Sequence, residues 1–374
     1  MTVIDTVLLK VASRCNLNCT YCYVFNMGDT GWERQPKRMS EATVAKVVQQ
    51  LGALYRTQGS PFSVVLHGGE PLMMGQNRLE ALFTSLHAEI PACGLHLQTN
   101  GTLLDEQILD LCARFGVGIS ISLDGPEAVT DRFRVDRKGK GSFQRVLKAV
   151  ERIRQHPSGA QLFAGLLAVV DPETNARDVY QFFKSTGTPS VDFLYRDGNH
   201  DELPFGKTSF QSTEYGEWMC DLVDSYLADS APPRIRVIDD MIKLLLGGAA
   251  RKEGVGISDY GIVVIDTDGS ISKNDTLKST TDAGDVFTES WSISRDRLTD
   301  VVRTPSFRDY HASQRPTAAA CQTCADLAVC GGGMPTHRFS AERGLDNPTV
   351  FCSDQKLVAA RLRQWLKAHE DEAA

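Results

Sequence analysis

The stretch KVASRCNLNCTYCYVFN, residues 10–26, holds Cys15, Cys19 and Cys22 and offers no fourth cysteine nearby. Thiolates at this spacing can converge on one iron–sulfur cluster from a single loop, although such clusters normally have four cysteine ligands. With three ligands, one iron keeps an open position for a small chelating molecule, much as a catalytic zinc keeps one for water. A zinc site of three cysteines and a distant histidine is the alternative that the spacing leaves open.

Downstream of this loop, apolar β-rich runs alternate with helical patterns. Strands are predicted at 5–12, 62–71, 95–101, 117–126, 162–170 and 190–197, and helices at 40–56, 78–90, 105–115 and 142–156. Such alternation indicates an α/β fold with a parallel sheet. Six units suit a partial (β/α)6 barrel of the TIM type, in which function gathers at the carboxyl ends of the strands.

Composition narrows the class of protein. The 374 residues carry 47 acidic and 40 basic side chains, a net charge of −7, which argues against nucleic acid as a partner. We expect a cytoplasmic protein that does not interact with membranes, because the chain has neither a signal pattern nor a long apolar run. Ten cysteines in such a protein are not expected to form disulfides, and the isolated Cys93, Cys112 and Cys220 are expected to be buried, inert thiols.

Polar or glycine-rich motifs follow the second and third predicted strands. In HGGEP, Gly68 and Gly69 would allow a ligand to approach the backbone closely, and Glu70 would accept from an ammonium group. In QTNG, Asn100 can both donate and accept hydrogen bonds. Each motif taken alone is more typical of a turn, but together they indicate a binding site beside the cysteine loop.

The fourth strand ends in SISLDGP, where Ser122 and Asp124 alternate and would share one face of the strand. A carboxylate there suits the hydroxyl groups of a ribose. Arg134, shortly downstream, can pair with a carboxylate through its fork of donors. The strand-end residues together predict a ligand with an amine, a carboxylate and a ribose near the open iron.

With its CNLNCTYC loop and its GGEP and SLDGP motifs, the chain resembles the radical S-adenosylmethionine (SAM) superfamily over residues 6–200. The resemblance implies that SAM chelates the open iron and that a reduced [4Fe–4S] cluster cleaves SAM to methionine and a 5′-deoxyadenosyl radical. This radical would abstract hydrogen from an unactivated carbon. The implied SAM contacts are Tyr21 at the adenine, Gly68, Gly69 and Glu70 at the amino group, and Asn100, Ser122, Asp124 and Arg134 at the ribose or methionyl part.

A second cysteine group comprises Cys321, Cys324, Cys330 and Cys352. Four thiolates complete a closed cluster, and spacing alone leaves zinc open. The segment 256–355 resembles the SPASM extension of peptide-modifying radical SAM enzymes, which implies an auxiliary [4Fe–4S] cluster. We therefore divide the chain into a radical SAM core (1–230), a linker or helix (231–255) and a SPASM-type domain with a terminal helix (256–374).

The chain departs from two-cluster SPASM members at three positions, where Tyr260, Asn274 and Met334 stand in place of cysteines. We therefore expect two clusters per chain, one binding SAM and one auxiliary. Asp275 follows one lost ligand, and in the similar sulfatase-maturing enzymes the aspartate at this place is a proposed proton acceptor. The alternative is a solvated carboxylate on the predicted hairpin at 259–275.

The chain most resembles maturases of ribosomally synthesised peptides, and within them the branch that forms cyclophanes by joining an aromatic ring to a side-chain β-carbon. Formylglycine formation, thioether crosslinking and epimerisation are the alternatives, and epimerisation would need Cys220 or Cys93 at the active site. A non-catalytic iron–sulfur or zinc module is the alternative from another class. Expected partners are a precursor peptide and a reductant such as flavodoxin or ferredoxin. Because only 14 residues precede Cys15, leader binding is expected to use the core fold or a separate protein.

Overall fold

A computed structural model describes residues 3–250, 252–257, 259–280 and 289–373. Its strands are β1 (Thr6–Ala12), β2 (Ser63–Gly68), β3 (Gly94–Thr99), β4 (Gly118–Ser122), β5 (Phe163–Val169), β6 (Ser190–Leu194), β7 (Arg234–Ile235), β8 (Ile262–Ile265), β9 (Ser270–Ser272) and β10 (Trp291–Ser292). Its α-helices are α1 (Glu41–Gln58), α2 (Gln76–Glu89), α3 (Glu106–Phe115), α4 (Glu127–Phe133), α5 (Phe143–Gln155), α6 (Gly159–Leu162), α7 (Ala176–Ser185), α8 (Glu214–Leu227), α9 (Arg236–Leu245), α10 (Leu298–Val301), α11 (Pro305–Ser313), α12 (Ala319–Gln322), α13 (Leu327–Cys330) and α14 (Cys352–Ala373). Short 3-10 helices lie at Gly31–Glu33, Pro71–Met74, Thr276–Ser279 and Pro335–Arg338.

The chain forms two compact units, and the first comprises Met1–Leu123, Thr130–Leu167 and Gly261–His311. In its sheet β8, β1, β2, β3, β4 and β5 are parallel neighbours in that order, and β9 and β10 continue antiparallel beyond β8. Val7, Leu9, Val11 and Ala12 of β1 are fully buried and Leu8 is half-buried, as expected for a parallel strand covered on both faces. The predicted parallel α/β fold is therefore confirmed.

The first unit also confirms the helices predicted from periodicity, which appear as α1, α2, α3 and α5. The predicted serine cap of α1 is present, since Ser40 Oγ accepts from the Thr43 amide at 3.1 Å. Asp105 caps α3 in the same way by accepting from the Ile108 amide at 2.9 Å. These caps fix where each helix leaves its strand-end loop.

The predicted hairpin forms as β8 and β9, and β8 pairs with β1 so that Val263 lies opposite Val7. This pairing joins segments about 250 residues apart, and it brings the turn between β8 and β9, which carries Asp266, to the carboxyl end of β1. The functional boundaries at 230 and 256 remain predictions.

The second unit comprises Asp124–Val129, Ala168–Tyr260 and Ala312–Ala374. It contains β6 and β7 as a parallel pair. Val170, directly after β5, donates a hydrogen bond from its main-chain amide to the Leu194 carbonyl of β6 at 2.9 Å. Helices α7, α8, α9 and α14 surround this part of the unit, and α14 confirms the predicted terminal helix. The segment predicted as a linker or helix, 231–255, contains β7 and α9.

We searched the described helices for a membrane-spanning segment, and none is both long and apolar enough to cross a bilayer.

Candidate active site

The three-cysteine loop follows β1 directly and lies within the first unit. The Asn18 and Thr20 amides donate to the carbonyls of Val135 and Phe133 at 2.7 and 3.0 Å, so the loop is held along the segment that carries Arg134. The thiols of Cys15, Cys19 and Cys22 are close enough to influence one another electrostatically. Burial raises the pKa of Cys15 to about 12 and that of Cys22 to about 11, so cluster binding must displace protons from these thiols.

The glycines of HGGEP allow this loop to lie against the end of β2. Gly68 has φ +138°, and a Cβ there would lie 2.1 Å from the Ala12 carbonyl oxygen. A Cβ at Gly69 would lie 2.4 Å from the Arg14 carbonyl oxygen. The close backbone approach that the sequence predicted is therefore made here by the protein's own cysteine loop.

Glu70 is fully buried and already has several hydrogen-bond donors. Its Oε1 accepts from the Leu72 amide at 3.0 Å and the Thr99 hydroxyl at 2.7 Å, and its Oε2 accepts from the Asn100 amide at 2.8 Å. Burial raises the pKa of Glu70, and these hydrogen bonds oppose the rise. Glu70 thus clamps the ends of β2 and β3 together, in addition to any contact with a ligand.

Asn100 and Arg134 also lie beside the cysteine loop. The side-chain nitrogen of Asn100, Nδ2, is 3.6 Å from Cys15 Sγ and donates to Asn16 Oδ1 at 2.9 Å. Arg134 is 6% exposed, and its Nη1 donates to the Tyr21 hydroxyl at 2.8 Å. Four of the predicted cofactor contacts, Tyr21, Glu70, Asn100 and Arg134, are therefore brought together around these cysteines.

The predicted pairing of Ser122 and Asp124 on one strand face does not hold, because β4 ends at Ser122. Ser122 Oγ accepts from Gln98 at 2.9 Å within the first unit. Asp124 belongs to the second unit, where its Oδ1 accepts from the Val169 amide at 3.2 Å. The two residues follow β4 in sequence without sharing its regular alternation.

The second cysteine group lies entirely in the second unit. All four thiols interact electrostatically, and burial raises the pKa of Cys330 to about 12. Three consecutive glycines with positive φ follow Cys330, and a Cβ at Gly331 would lie 1.8 Å from the Gly256 carbonyl oxygen. This tight turn holds Cys330 against a backbone segment that leaves no room for a side chain.

Both donor sets fit a cluster. Among the residues that the structure describes, no three cysteine, histidine or acidic side chains converge on a point that a single metal ion would fill. Cysteine thiolates are the usual ligands of iron–sulfur clusters, so the chemistry of both donor sets suits a cluster.

Asp275 is 1% exposed, so the alternative of a solvated hairpin carboxylate is wrong. Its oxygens accept from the Lys10 ammonium at 2.8 and 3.0 Å and from the Tyr23 hydroxyl at 2.9 Å. Lys278 Nζ lies 3.4 Å away. Burial alone would raise the pKa of Asp275, but Lys10 and then Lys278 hold it well below its usual range.

The sequence analysis missed the partners of Asp275. Asp266 links the two lysines, with its Oδ1 3.5 Å from Lys10 Nζ and its Oδ2 2.9 Å from Lys278 Nζ. His67 Nδ1 is shielded from solvent and has no hydrogen-bond partner, and burial lowers the pKa of this ring. The signal in the sequence was Lys10 itself, since a lysine within the apolar run TVLLKVA requires a buried anion.

A cavity of about 480 Å3 opens within the first unit. Its wall includes Gly69 of HGGEP together with Lys10, Asp266 and Lys278. The cavity thus connects the candidate cofactor motifs with the charged cluster around Asp275, which is not among the described residues of the wall.

At one position where two-cluster relatives have a cysteine ligand, this chain has Asn274, which makes a buried hydrogen bond within the first unit. Asn274 is 3% exposed, and its side-chain amide donates to the Tyr310 hydroxyl at 2.9 Å. Met334 lies in the second unit, where its sulfur would be 2.9 Å from a Cβ at Gly254. Neither side chain supplies a thiolate, and the number of auxiliary clusters stays a prediction.

Comparison with known proteins identifies relatives of this chain and solved structures with a similar fold. The chain is 23% identical over 365 residues to the cysteine-type anaerobic sulfatase-maturating enzyme of Clostridium perfringens, covering 94% of each chain. Its fold matches that of native anSMEcpe with bound AdoMet and Cp18Cys peptide, with a TM-score of 0.80, 21% identity and 99% coverage of both chains. SuiB of Streptococcus suis bound to precursor peptide SuiA has a TM-score of 0.60 and 13% identity, with 90% of this chain and 73% of that chain covered.

The sequence profile of the radical SAM superfamily matches residues 9–184, which contain the three-cysteine loop and the strand-end motifs. Membership implies a [4Fe–4S] cluster and SAM as cofactors of the first unit. Residues 9–184 are a radical SAM domain, and the enzyme is a radical SAM oxidoreductase.

Proposed function

We propose that this enzyme oxidatively modifies a ribosomally synthesised precursor peptide by joining an aromatic ring carbon to the β-carbon of a nearby residue. The observation that carries the proposal is the cavity whose wall includes both Gly69 and Lys10, with the buried Asp275 bonded to Lys10. A substrate there would lie between the cofactor motifs and an ionised carboxylate. The peptide-bound fold relatives, and the sulfatase-maturating activity named for the Clostridium relative, support a peptide or protein substrate.

The chain supplies separate ligands for two clusters. Cys15, Cys19 and Cys22 would hold the SAM-binding cluster, and Cys321, Cys324, Cys330 and Cys352 would hold an auxiliary one. The proposed SAM contacts are Tyr21, Gly68, Gly69, Glu70, Asn100, Ser122, Asp124 and Arg134. When bound, SAM and the first cluster would supply a 5′-deoxyadenosyl radical that abstracts hydrogen, and the auxiliary cluster would supply an acceptor for one electron.

The proposed reaction removes two hydrogens from the peptide. One leaves as an atom from the β-carbon and ends in 5′-deoxyadenosine. After the new carbon–carbon bond forms, the ring must lose one electron and one proton to become aromatic again. A ring that has lost the electron is a strong acid, so a carboxylate of low basicity is a sufficient acceptor.

Asp275 is the proposed acceptor for this proton. Because the cavity wall is formed by Lys10 rather than by Asp275, the substrate proton would be taken up at Lys10 as the Lys10 ammonium passes a proton to Asp275. An external donor such as flavodoxin or ferredoxin would reduce the first cluster. Leader recognition would fall to the core fold or to a separate protein.

The test uses anaerobically reconstituted enzyme with dithionite, SAM and a panel of synthetic peptides that contain aromatic residues. We expect 5′-deoxyadenosine and a peptide lighter by two hydrogens, with deuterium moving from the β-carbon to 5′-deoxyadenosine. A peptide of unchanged mass alongside ample 5′-deoxyadenosine would overturn the proposal.

Formylglycine formation is the second candidate, favoured by the relatives named as sulfatase-maturating enzymes. Oxidation of a serine to formylglycine also removes two hydrogens, so mass alone does not separate the products. An aldehyde reacts with dinitrophenylhydrazine, and a carbon–carbon crosslink does not. A hydrazone on the product would favour this second candidate.

Epimerisation with Cys93 as hydrogen donor is disfavoured by its position. Cys93 is 8% exposed and directly precedes β3, whereas Asn100 and the cysteine loop lie at the carboxyl end of that strand. The thiol and the candidate site are therefore at opposite ends of β3.

A further inference from the structure

The cavity in the first unit has features that specify its occupant. Its volume of about 480 Å3 falls within the usual range for pockets that bind small ligands or a few residues of a peptide. Two of the chain's four tryptophans, Trp32 and Trp291, line it together with the aliphatic Val24 and Ile271. Such a wall favours burial of an apolar or aromatic group.

Each of the two indole rings packs against an aromatic ring and a cationic side chain of the protein. Trp32 packs edge-on against Phe25 at a centroid distance of 4.9 Å, and the Arg14 guanidinium lies 5.1 Å from its ring. Trp291 packs against Phe307 at 5.4 Å, and the buried Lys273 ammonium lies 4.9 Å from its ring. The two aromatic surfaces are therefore fixed before a ligand arrives, which lowers the entropic cost of binding.

Four of the five charged side chains in the cavity wall are paired within the protein, and the fifth, Asp29, accepts from the Gly31 amide at 2.8 Å and interacts electrostatically with Lys278. Lys10 is paired with Asp275, and Lys278 is paired with Asp266 at 2.9 Å. Glu289 accepts from the Ser306 hydroxyl at 2.9 Å and lies 3.8 Å from Lys273. A charged occupant would have to displace one of these partners, so the cavity favours a neutral group.

Two polar atoms of the wall have no hydrogen-bond partner among the residues that the structure describes. They are Trp32 Nε1 and Ser272 Oγ, and both are shielded from solvent. Buried donors and hydroxyls are normally satisfied, so these atoms indicate a ligand that supplies an acceptor to the indole and a partner to the hydroxyl. The main-chain carbonyl and amide of a peptide provide both.

We propose that this cavity binds a neutral aromatic residue of the substrate peptide, with its ring against Trp32 and Trp291 and its main chain hydrogen-bonded to Trp32 Nε1 and Ser272 Oγ. This inference rests on the proposed function and adds the residues that select the substrate. Trp32, Trp291 and Ser272 are thus specificity determinants for an aromatic side chain.

The test measures binding to the full-length, cluster-loaded protein by calorimetry without reductant. The probes are N-acetyl amides of tryptophan, phenylalanine, leucine, aspartate and lysine. We expect the two aromatic amides to bind about tenfold more tightly than the leucine amide, because an aromatic pair adds up to roughly a tenfold gain beyond its buried area. Tighter binding of the leucine or either charged amide would overturn the proposal.

Variants locate the site. Trp291→Leu is expected to weaken binding of the aromatic amides about tenfold, and Trp291→Phe, which keeps a ring, to weaken it less. Trp32→Phe and Ser272→Ala each remove one hydrogen bond and are expected to cost roughly threefold to tenfold. Trp365→Leu, in the terminal helix of the second unit, is the matched control and should bind as wild type.

Equal binding by Trp291→Leu and Trp365→Leu would refute the pocket assignment. If Trp291→Leu does not fold, the comparison of Trp32→Phe and Trp291→Phe with wild type decides in its place. Tight aromatic binding without any two-hydrogen loss from peptide would support the pocket and refute the proposed reaction, so the two failures are distinguishable.

Discussion

A buried lysine–aspartate pair accompanies each cysteine group, and the two pairs differ in their surroundings. In the first unit, Lys10 and Asp275 are joined at 2.8 Å, Lys278 lies 3.4 Å from the same carboxylate, and both lysines line a cavity. In the second unit, Lys207 and Asp354 are joined at 2.6 Å with both side chains fully buried. Their remaining bonds go to main-chain atoms, the Ser212 carbonyl and the Gly216 amide.

The difference fits a catalytic role for the Lys10–Asp275 pair, as proposed above, and a structural role for the Lys207–Asp354 pair. The Lys10 pair has further charged neighbours, and Lys10 lines a cavity that a ligand can enter, as the proposed proton transfer requires. The Lys207 pair fastens the start of α14 to the segment before α8. Buried pairs of this kind are costly to break even where they add little net stability.

The largest expected effect comes from removing the three-cysteine set. Replacing Cys15, Cys19 and Cys22 together with alanine should abolish 5′-deoxyadenosine formation, because these residues would hold the SAM-binding cluster. Iron content should fall by about half, on the basis of two four-iron clusters with separate cysteine ligands. Iron analysis and chromatography of the reaction products measure both effects.

The matched control replaces Cys321, Cys324, Cys330 and Cys352 with alanine. This variant should also lose about half of its iron, yet it should still cleave SAM. Formation of 5′-deoxyadenosine by the triple variant of Cys15, Cys19 and Cys22 would contradict the assignment of these three cysteines to the SAM-binding cluster.

The next effect concerns Asp275 as proton acceptor. Asp275→Asn keeps the size of the side chain but removes its basicity, and general bases typically contribute 10²–10⁴-fold. We expect about that loss of crosslinked peptide, with SAM cleavage retained and deuterium from the β-carbon still appearing in 5′-deoxyadenosine. Asp354→Asn in the second unit serves as the control for a buried pair away from the cavity. Crosslinking at the wild-type rate in Asp275→Asn would leave Asp275 a purely structural role.

A third comparison sets the two lysines against each other. Lys207→Met leaves Asp354 buried without its partner, which is expected to cost about 3–5 kcal/mol of unfolding free energy. Lys10→Met should cost less, about 3 kcal/mol, because Lys278 still faces Asp275. Anaerobic urea unfolding followed by circular dichroism gives both values. A larger loss for Lys10→Met would show that the cavity network, rather than the enclosed pair, carries more of the stability.

Features that are local in the chain were predictable from the sequence. The spacing of Cys15, Cys19 and Cys22 and the motifs at successive strand ends identified the family, because ligands on one loop need no knowledge of distant contacts. The parallel fold followed from alternating strand and helix patterns.

Features that depend on distant pairing were not predictable in this way. Nothing near Asp275 indicates that β8 lies beside β1, and this pairing is what buries the carboxylate against Lys10. The alternative of a solvated carboxylate followed from considering the hairpin alone. The role of Gly68 in admitting the cysteine loop also depends on two segments meeting in space.

The smallest expected effect is a pH dependence that separates Asp275 from exposed carboxylates. Lys10 and Lys278 hold the pKa of Asp275 below its usual range despite burial, so this group is more acidic in the folded chain than in the unfolded one. Its contribution to stability is therefore present above the ordinary aspartate pKa of about 4 and is lost as the pH falls through and below that value. Asparagine does not titrate there, so Asp275→Asn should lose about 0.5–1 kcal/mol less stability than wild type between pH 6 and about pH 3.5. Thermal unfolding of both proteins in the same buffers measures the difference, and contributions that the two proteins share cancel. Asp300→Asn, at an exposed position on α10, should follow the wild-type slope. If Asp275→Asn follows that slope as well, Lys10 and Lys278 do not lower the pKa of Asp275 in the folded protein.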